Sequence, residues 1–427
     1  MTNEAPWSSQ LDWPSDLKPF DPFDTEIQAD PYAHYRWMRE NAPVLRAGLP
    51  EAPLHIVSLY RDVNAGLRDA ETFSSEMGQA EPLPGFILNM DPPEHTRLRA
   101  LVSAAFTPRA MQELEPKVLA IVTEMWGAIL ARSGGDLMGE FASRCTIAVI
   151  SAVLGIPVSQ SSQMREWTSQ TIAYMGRLLR GVPDIGADAT GREALLAHID
   201  AIFDRMVNDD NDTVAANLAR LRRDGLITRE EASGFAALLF MAGHETTTIL
   251  TGNCLDVLMQ HPEYVEMLRT SAGAKAFLDE MIRFRPPVHR VTRRTTRDTE
   301  IAGRQIPAGA SIRFLIGSAN RDEAIFTDGD IFAPSRRPTG NASFGYGPHM
   351  CIGSWLARLE VRLILETIGN TTERIAADAS LPRLPLLGGA FATVGLHQLG
   401  GRLEPKIPRP GVEIGGRRAR AGQAYRP

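Results

Sequence analysis

One ten-residue string near the end of the chain constrains the fold more than any other feature of the sequence. It reads Phe-Gly-Tyr-Gly-Pro-His-Met-Cys-Ile-Gly from Phe344 to Gly353, so two glycines and a proline precede Cys351. A helix is predicted from about Ile352 to Ile368, and a helix N-terminus stabilises a nearby thiolate through its dipole and unpaired backbone N–H groups. The glycines let the backbone pass close to a bound group. A lone cysteine is more often a buried residue of an ordinary turn, so the prediction of a ligating sulfur depends on the whole string.

A second unusual pattern lies inside the longest predicted helix, which Thr228 and Glu231 open as a capping box and which continues to Gln260. The apolar run from Phe235 to Gly243 suits a buried helix, but five polar residues, His244–Thr248, interrupt it. Threonines are poor helix formers, and carboxylates are rarely buried without a partner. Taken alone, this cluster is either a functional site in a core helix or the solvent-facing stripe of an amphipathic one.

Together the two strings resemble the cytochrome P450 family of haem-thiolate monooxygenases. Phe344–Gly353 matches the family's haem-binding pattern F-G-x-G-x-H-x-C-x-G at every fixed position, and Ala242–Thr247 resembles its oxygen-activation motif. The resemblance extends from about Asp30 to about Leu403. It implies a mainly α fold with a small β region, the triangular helical prism of the family. It also implies haem b (iron protoporphyrin IX) as cofactor and Cys351 as iron ligand, because a cysteine thiolate pushes electron density onto the iron and favours O–O cleavage.

The same resemblance implies roles for the polar residues of the long helix. Ala242 and Gly243 are expected to leave room beside the haem face. Thr246 is expected to hydrogen-bond dioxygen or a nearby water, and Glu245 to feed protons toward it. A hydroxyl and a carboxylate at adjacent positions can organise a chain of waters that delivers protons in this way.

Basic side chains are expected, through the resemblance, to hold the haem propionates, since carboxylates in a low-dielectric core need partners. His95 and Arg99 share one helical face, His349 lies two residues before the cysteine, and Arg293 lies on a predicted strand. Arg294 competes with Arg293, which is preferred for its spacing to the residues that follow the strand. The expected cofactor-binding residues are His95, Arg99, Ala242, Gly243, Arg293, Phe344, Gly345, His349, Cys351 and Gly353, with Glu245 and Thr246 as catalytic residues.

A further pair, Glu280 and Arg283, has the E-x-x-R spacing that places both side chains on one helical face. In the family such a pair is buried and joins a third residue, for which Arg336 is the expected match. We assign this triad to folding and to support of the haem loop rather than to catalysis.

Turn and capping signals predict the remaining elements. The whole chain, residues 1–427, is expected to form a single domain, with loose tails over residues 1–20 and 408–427. Helices are predicted over 94–106, from Thr107 to about Gly134, over 139–154 and over 275–284. Strands are predicted over 288–296, 300–301 and 311–314, and an irregular segment over 319–347.

Charge and cysteine content limit the partners and the compartment. The net charge of −6 provides no overall basic field for nucleic acid. The three cysteines lie far apart in the sequence and form no C-x-x-C pair. This pattern favours a reducing compartment over a disulfide framework. No apolar run of spanning length is expected, so the protein is predicted to be cytoplasmic and monomeric, without a membrane partner.

The expected reaction inserts one atom of O2 into a hydrophobic small molecule by hydroxylation or epoxidation. No flavin or dinucleotide fingerprint is present, so electrons are expected from a separate ferredoxin with its reductase. Arg97 and Arg109 form either part of a basic docking patch or an ordinary solvated face.

Two alternatives remain open at this point. One is a peroxide-using peroxygenase or decarboxylase of the same fold, although such relatives typically lack the acid–threonine pair. The other is a non-catalytic haem-binding protein. The sequence leaves the substrate open among lipids, terpenes, polyketides, peptides and aromatic compounds.

Overall fold

Helices account for most of this computed structural model, which describes residues 11–22, 24–49, 52–76, 85–157, 160–178, 186–206, 213–336, 338–387 and 393–406. The helices are α1 (Thr25–Ala29), α2 (Tyr32–Asn41), α3 (Tyr60–Arg68), α4 (Glu94–Ser103), α5 (Pro108–Ala131), α6 (Ser143–Leu154), α7 (Ser161–Leu178), α8 (Gly186–Met206), α9 (Val214–Arg223), α10 (Arg229–Gln260), α11 (Tyr264–Met267), α12 (Ser271–Phe284), α13 (Ile316–Ala319) and α14 (Ser354–Thr371). A π-helical segment, Leu137–Ala142, leads directly into α6.

The strands are short and form three sheets, as expected for a mainly α protein with a small β region. They are β1 (Val44–Leu49), β2 (Ala52–Val57), β3 (Phe73–Ser74), β4 (Gly134–Asp136), β5 (Arg290–Thr295), β6 (Thr299–Ile301), β7 (Arg304–Ile306), β8 (Ser311–Leu315), β9 (Thr372–Ala377), β10 (Arg383–Pro385) and β11 (Leu396–Pro405). The largest sheet has the order β1-β2-β8-β5-β3, and only its β2–β8 pair is parallel. In the second sheet β11 pairs with β10, β4 and β9, and β6 pairs with β7.

Helix α10 lies within the main hydrophobic core. Its side chains are buried on almost every face, as a helix without a polar side requires. It packs against α6, α8, α12 and α14. Core side chains from these helices and from α5 include Trp126, Phe240 and Ile364. The polar residues His244–Thr248 of α10 therefore lie inside the protein. They do not form the solvent-facing stripe of an amphipathic helix, which was the alternative left open by the sequence.

Local capping signals locate the starts of α5 and α10 correctly. Thr107 accepts a hydrogen bond from the Ala110 N–H at 3.3 Å at the start of α5, and the capping box of Thr228 and Glu231 opens α10 as predicted. Asp91, which looks like the cap of α4, instead accepts from the Ser75 N–H at 2.8 Å. A long-range contact to the end of β3 thus replaces the local cap.

Residues 11–20 do not behave as the loose tail expected from the sequence. Phe20 is buried, and the ring of Trp13 stacks on Trp37 of α2 with centroids 3.9 Å apart. Aromatic burial of this kind offsets the entropy of ordering a terminus. Residues 1–10 and the predicted tail over 408–427 lie outside the described residues.

One stretch, Leu137–Leu154, is long and apolar enough to cross a membrane, so the expectation that no such run exists is wrong. It covers the π-helical segment and α6, and 78% of it is buried inside the protein. Its apolar character is accounted for by packing against α10.

Candidate active site

The cysteine loop connects an irregular segment to α14 and is closed by a backbone hydrogen bond from the Cys351 N–H to the Phe344 carbonyl at 2.7 Å. Cys351 lies three residues before Ser354, the first residue of α14, so the helix begins slightly later than predicted. The Arg358 guanidinium lies over the Phe344 ring, 5.0 Å from its centroid, and fixes the start of the loop to the helix.

Two glycines of the loop have left-handed backbone conformations, with φ of +67° at Gly345 and +68° at Gly347. A Cβ on Gly347 would approach the Leu67 carbonyl oxygen of α3 to 2.6 Å, so this glycine allows the loop to pack on α3. A Cβ on Gly345 would meet no atom closer than 3.8 Å. Of the two, Gly345 therefore has the open side that a flat group requires.

The Cys351 residue is exposed, yet burial raises the pKa of its thiol. Both observations hold if the sulfur lines an internal space enclosed by protein. The Gly353 N–H and the Arg99 guanidinium act in the opposite direction and lower this pKa. The loop therefore supplies a hydrogen bond to the sulfur and α4 supplies a positive charge, and both favour a ligating thiolate.

Four basic side chains meet beside this loop, and they are the four predicted to hold propionates. The His95 and His349 rings lie 4.1 Å apart between centroids, and the Arg293 and Arg99 charges lower the pKa of both histidines after the larger effect of burial. Arg293 is buried, which lowers its pKa to about 10.

Only one carboxylate, that of Asp91, opposes the positive charge of this cluster among the described residues: it raises the pKa of His95 and of Arg293 but forms no ion pair with either. Within the described residues, the side-chain hydrogen bonds of Arg99 and Arg293 go to the Met350 and Thr292 carbonyls. Both ring nitrogens of His95 are buried and have no partner. Buried donors without partners are costly, so the cluster fits a group with two carboxylates, as haem has.

The polar residues of α10 line an internal space. Ala242 to Thr246 are partly accessible, although buried residues flank them on the same helix. The Thr246 hydroxyl donates to the Ala242 carbonyl at 2.8 Å, a bond of the kind that bends helices. Glu245 is enclosed, so burial raises the pKa of its carboxyl, while a hydrogen bond from Thr393 lowers it.

Gly243 lies where α10 approaches α6. A Cβ at this position would lie 2.8 Å from Cδ1 of Ile150 on α6, so the glycine allows two core helices to approach. Its place beside the haem face stays a prediction. Its neighbour His244 also faces α6, where Nε2 and the Ser143 hydroxyl lie 3.2 Å apart. Burial lowers the pKa of His244 to about 4, which keeps its ring neutral.

The predicted triad meets in the core as expected. Glu280 and Arg283 are fully buried, with Arg283 donating to the two carboxylate oxygens at 2.6 and 2.8 Å. Arg336 donates to Glu280 Oε1 at 3.1 Å. Both arginines also donate to carbonyls of the irregular segment before the cysteine loop, including that of Ile331. The triad therefore ties this segment to α12.

Two residues that the sequence reasoning missed contact the site. The Ser75 hydroxyl lies 2.9 Å from His349 Nε2, and the Thr393 hydroxyl donates to Glu245 at 3.0 Å. Neither carries a local signal, because both contacts depend on distant chain segments. A third residue that was missed, Glu360, is buried on the core face of α14 without a partner for Oε1 among the described residues.

Comparison with known proteins gives one consistent result. The sequence model of a family described as Cytochrome P450 matches residues 274–368. Erythromycin C-12 hydroxylase of Saccharopolyspora erythraea is 34% identical over 83% of this chain and 91% of its own length. Cyclomarin C epoxidase CymV of Salinispora arenicola is 33% identical over 80% of this chain and 89% of its own. The structure of CYP109E1 from Bacillus megaterium in complex with testosterone superposes with a TM-score of 0.79 at 28% identity, covering 88% of this chain and 98% of that one.

Proposed function

The chain belongs to the cytochrome P450 family of haem-thiolate monooxygenases, and we propose that Cys351 is its iron ligand and Glu245 with Thr246 its proton-handling pair. The observation that carries this proposal is the basic cluster beside the cysteine loop. The His95 ring lies against that of His349, two residues before Cys351, and both ring nitrogens of His95 are buried without a partner among the described residues. Haem, when bound, would supply the iron at which dioxygen is reduced and one oxygen atom is transferred to the substrate.

Cys351, Phe344, Gly345 and Gly353 would hold the haem in this proposal. The Gly353 N–H donates to the sulfur and would tune its basicity, and the open side of Gly345 would leave room for the macrocycle. Ala242 would contribute a small side chain beside it.

His95, Arg99, Arg293 and His349 bind the two propionates. The unpaired ring nitrogens of His95 and the positive charges of Arg99 and Arg293 supply the hydrogen bonds and charge that these carboxylates need in a low-dielectric site.

Glu245 and Thr246 divide the handling of protons between two atoms. The Thr246 hydroxyl proton is directed to the Ala242 carbonyl, so its oxygen is free to accept a hydrogen bond from a water in the site. Glu245 Oε2 is buried and has no partner. Burial favours the protonated carboxyl, so Oε2 can hold a proton and pass it to a water that Thr246 orients.

The substrate class is proposed to be a hydrophobic small molecule. Relatives of this chain are named for the hydroxylation of erythromycin and the epoxidation of cyclomarin C, and one solved relative binds testosterone.

A separate ferredoxin-type protein is proposed to supply the electrons. Two large apolar side chains next to the iron ligand, Met350 and Trp355, are about half exposed and suit a docking surface. Arg109 remains exposed and pairs with Glu113. Arg97 is excluded from this surface, since Glu94 and Glu231 neutralise its charge beside the start of α10.

The test is the ratio of product formed to reduced nicotinamide consumed, measured with a surrogate ferredoxin system and a substrate that turns over. Thr246→Ala is expected to keep haem and substrate binding but to divert electrons into hydrogen peroxide. Glu245→Gln is expected to slow oxygen consumption because proton supply becomes limiting. General acid–base effects are about 10²–10⁴-fold, so either change is easily resolved.

Thr367→Ala is the matched control, because the Thr367 hydroxyl makes the same type of bond, to the Leu363 carbonyl at 2.8 Å, in α14. Wild-type coupling is expected there. Unchanged coupling in Thr246→Ala would mean that substrate or water alone organises proton delivery, and the role of Thr246 would be withdrawn.

A further inference from the structure

Thr393 reaches the proton-handling residue from a distant part of the chain. It lies 148 residues after Glu245 and is buried. Its backbone is anchored to the segment after α12 by an isolated antiparallel bridge with Val288 and by a 2.9 Å hydrogen bond from the Val394 N–H to the Pro287 carbonyl. The hydroxyl therefore sits on a backbone fixed independently of α10.

The contact with Glu245 makes the two carboxyl oxygens unequal. The Thr393 hydroxyl donates to Oε1 at 3.0 Å, whereas Oε2 is buried and has no partner among the described residues. A carboxylate accepts hydrogen bonds at both oxygens. The second oxygen is therefore the one available to exchange a proton.

No charge competes with this hydrogen bond. Burial raises the pKa of Glu245 and the Thr393 hydrogen bond lowers it, and no charged side chain of the described chain adds to the shift. The adjacent imidazole of His244 faces Ser143 of α6 and is neutral. Thr393 is thus the single polar contact that opposes burial at this carboxyl within the described residues.

We propose that Thr393 is a positioning residue that holds Glu245 by Oε1, leaves Oε2 to exchange the proton, and sets the pH at which this exchange occurs. The proposal rests on the proposed role of Glu245. Thr393 touches no reacting atom. It acts by fixing one rotamer of the carboxylate and by stabilising its charged form, so that the carboxyl releases its proton as well as binding it.

The direct test is infrared spectroscopy of the ferric holoenzyme, with the protonated carboxyl band of Glu245 assigned by its loss in Glu245→Gln. The intensity of this band is followed against pH. Thr393→Val keeps the side-chain shape but removes the donor. A hydrogen bond to a charged group is worth about 1.5–3 kcal/mol, so the midpoint is expected to rise by about one to two pH units.

Two further variants separate the hydrogen bond from packing. Thr393→Ser retains a hydroxyl and is expected to keep the wild-type midpoint. Thr251→Val makes the same chemical change at a fully buried threonine of α10 whose hydroxyl has no partner, and it is also expected to keep the midpoint.

Three outcomes would overturn the proposal. They are an unchanged midpoint in Thr393→Val, a shift in Thr393→Ser as large as that in Thr393→Val, and the absence of any band lost in Glu245→Gln across the accessible pH range.

The pH profile of oxygen consumption distinguishes this inference from the proposed function. If Thr393→Val shifts both the infrared midpoint and the pH profile of oxygen consumption, the positioning role of Thr393 and the catalytic role of Glu245 are both supported. If the infrared midpoint shifts while Glu245→Gln leaves oxygen consumption and coupling unchanged, Thr393 positions Glu245 but the catalytic role of Glu245 falls. If Glu245→Gln slows turnover and the midpoint does not move, the catalytic role stands and Thr393 has no part in it.

Discussion

At the scale of single residues, the alternation of side chains along β5 separates two adjacent arginines. Arg293 points inward toward His95 and His349 and is buried. Arg294 is exposed, and its guanidinium lies 3.5 Å from the Cβ position of Gly309 in the following turn. The preference for Arg293, made from spacing alone, therefore has a structural reason in the register of one strand.

Arg293→Ala is expected to weaken haem retention, because it leaves a buried propionate short of one partner. Removing one member of a buried charged pair typically costs about 3–5 kcal/mol. The measurement is the rate of haem transfer to an excess of apomyoglobin. Arg294→Ala is the matched control and is expected to lose haem at the wild-type rate, whereas equal rates in all three proteins would place Arg293 outside the haem site.

At the scale of secondary-structure elements, the triad joins α12 to the irregular segment before the cysteine loop. Glu280 Oε1 accepts from Arg283, from Arg336 and from the Ala333 N–H. Arg283 also donates to the Asn320 and Gly329 carbonyls. A segment of this length without regular structure depends on such donors for its backbone carbonyls.

Arg283→Ala is expected to destabilise the protein by about 3–5 kcal/mol, since it leaves a buried carboxylate uncompensated. Lys275→Ala on the same helix removes an exposed ion pair with Asp279 and is expected to cost less than about 1 kcal/mol. Urea unfolding followed by circular dichroism measures both. A small effect of Arg283→Ala would show that the segment is held by its other contacts.

The elements divide into those that local sequence predicts and those that it does not. The starts of α5 and α10 were predictable because the Thr107 and Thr228 side chains accept hydrogen bonds from backbone N–H groups three residues later. Strands β1, β2 and β9–β11 were missed because they are defined by pairing with one another and with distant strands. The Asp91 side chain precedes α4 as a local cap would, but it contacts Ser75 after β3 instead.

The site shows the same division. The motif residues Cys351, Glu245 and Thr246 were detectable in the sequence because reactive or polar side chains within these motifs are unusual in a purely apolar core. Thr393 has no such signal, since only the folded chain brings it to Glu245. The contact between Gly243 and Ile150 has no local signal either, because Ile150 lies on another helix.

At the scale of the whole molecule, one buried acid makes stability depend on pH. Glu360 lies on α14 inside the main core, and burial raises its pKa to about 8. The folded state then keeps a proton that the unfolded chain releases at an ordinary carboxyl pKa. Stability is therefore expected to fall as pH rises from the ordinary value to about 8.

Glu360→Gln is expected to remove this dependence, because the amide does not ionise. Between pH 5 and 8 the wild-type free energy of unfolding is expected to fall relative to the variant by up to about 1.4 kcal/mol per pH unit. Glu404→Gln, at an exposed position of β11, is the control and keeps the wild-type slope. Parallel profiles for Glu360→Gln and wild type would mean that Glu360 is ionised in the fold.

The haem-thiolate assignment accounts for the cysteine loop, the basic cluster and the polar residues of the core helix together. The single-domain organisation and the cytoplasmic location remain predictions. The central claim of the haem-thiolate assignment is that Cys351 ligates the iron. The most direct measurement is the absorption spectrum of the reduced protein with carbon monoxide. The wild type and Cys254→Ser, which alters a buried core cysteine, are expected to show the red-shifted Soret band of thiolate ligation, and Cys351→His is expected to lose it. An unchanged thiolate spectrum in Cys351→His would contradict the account.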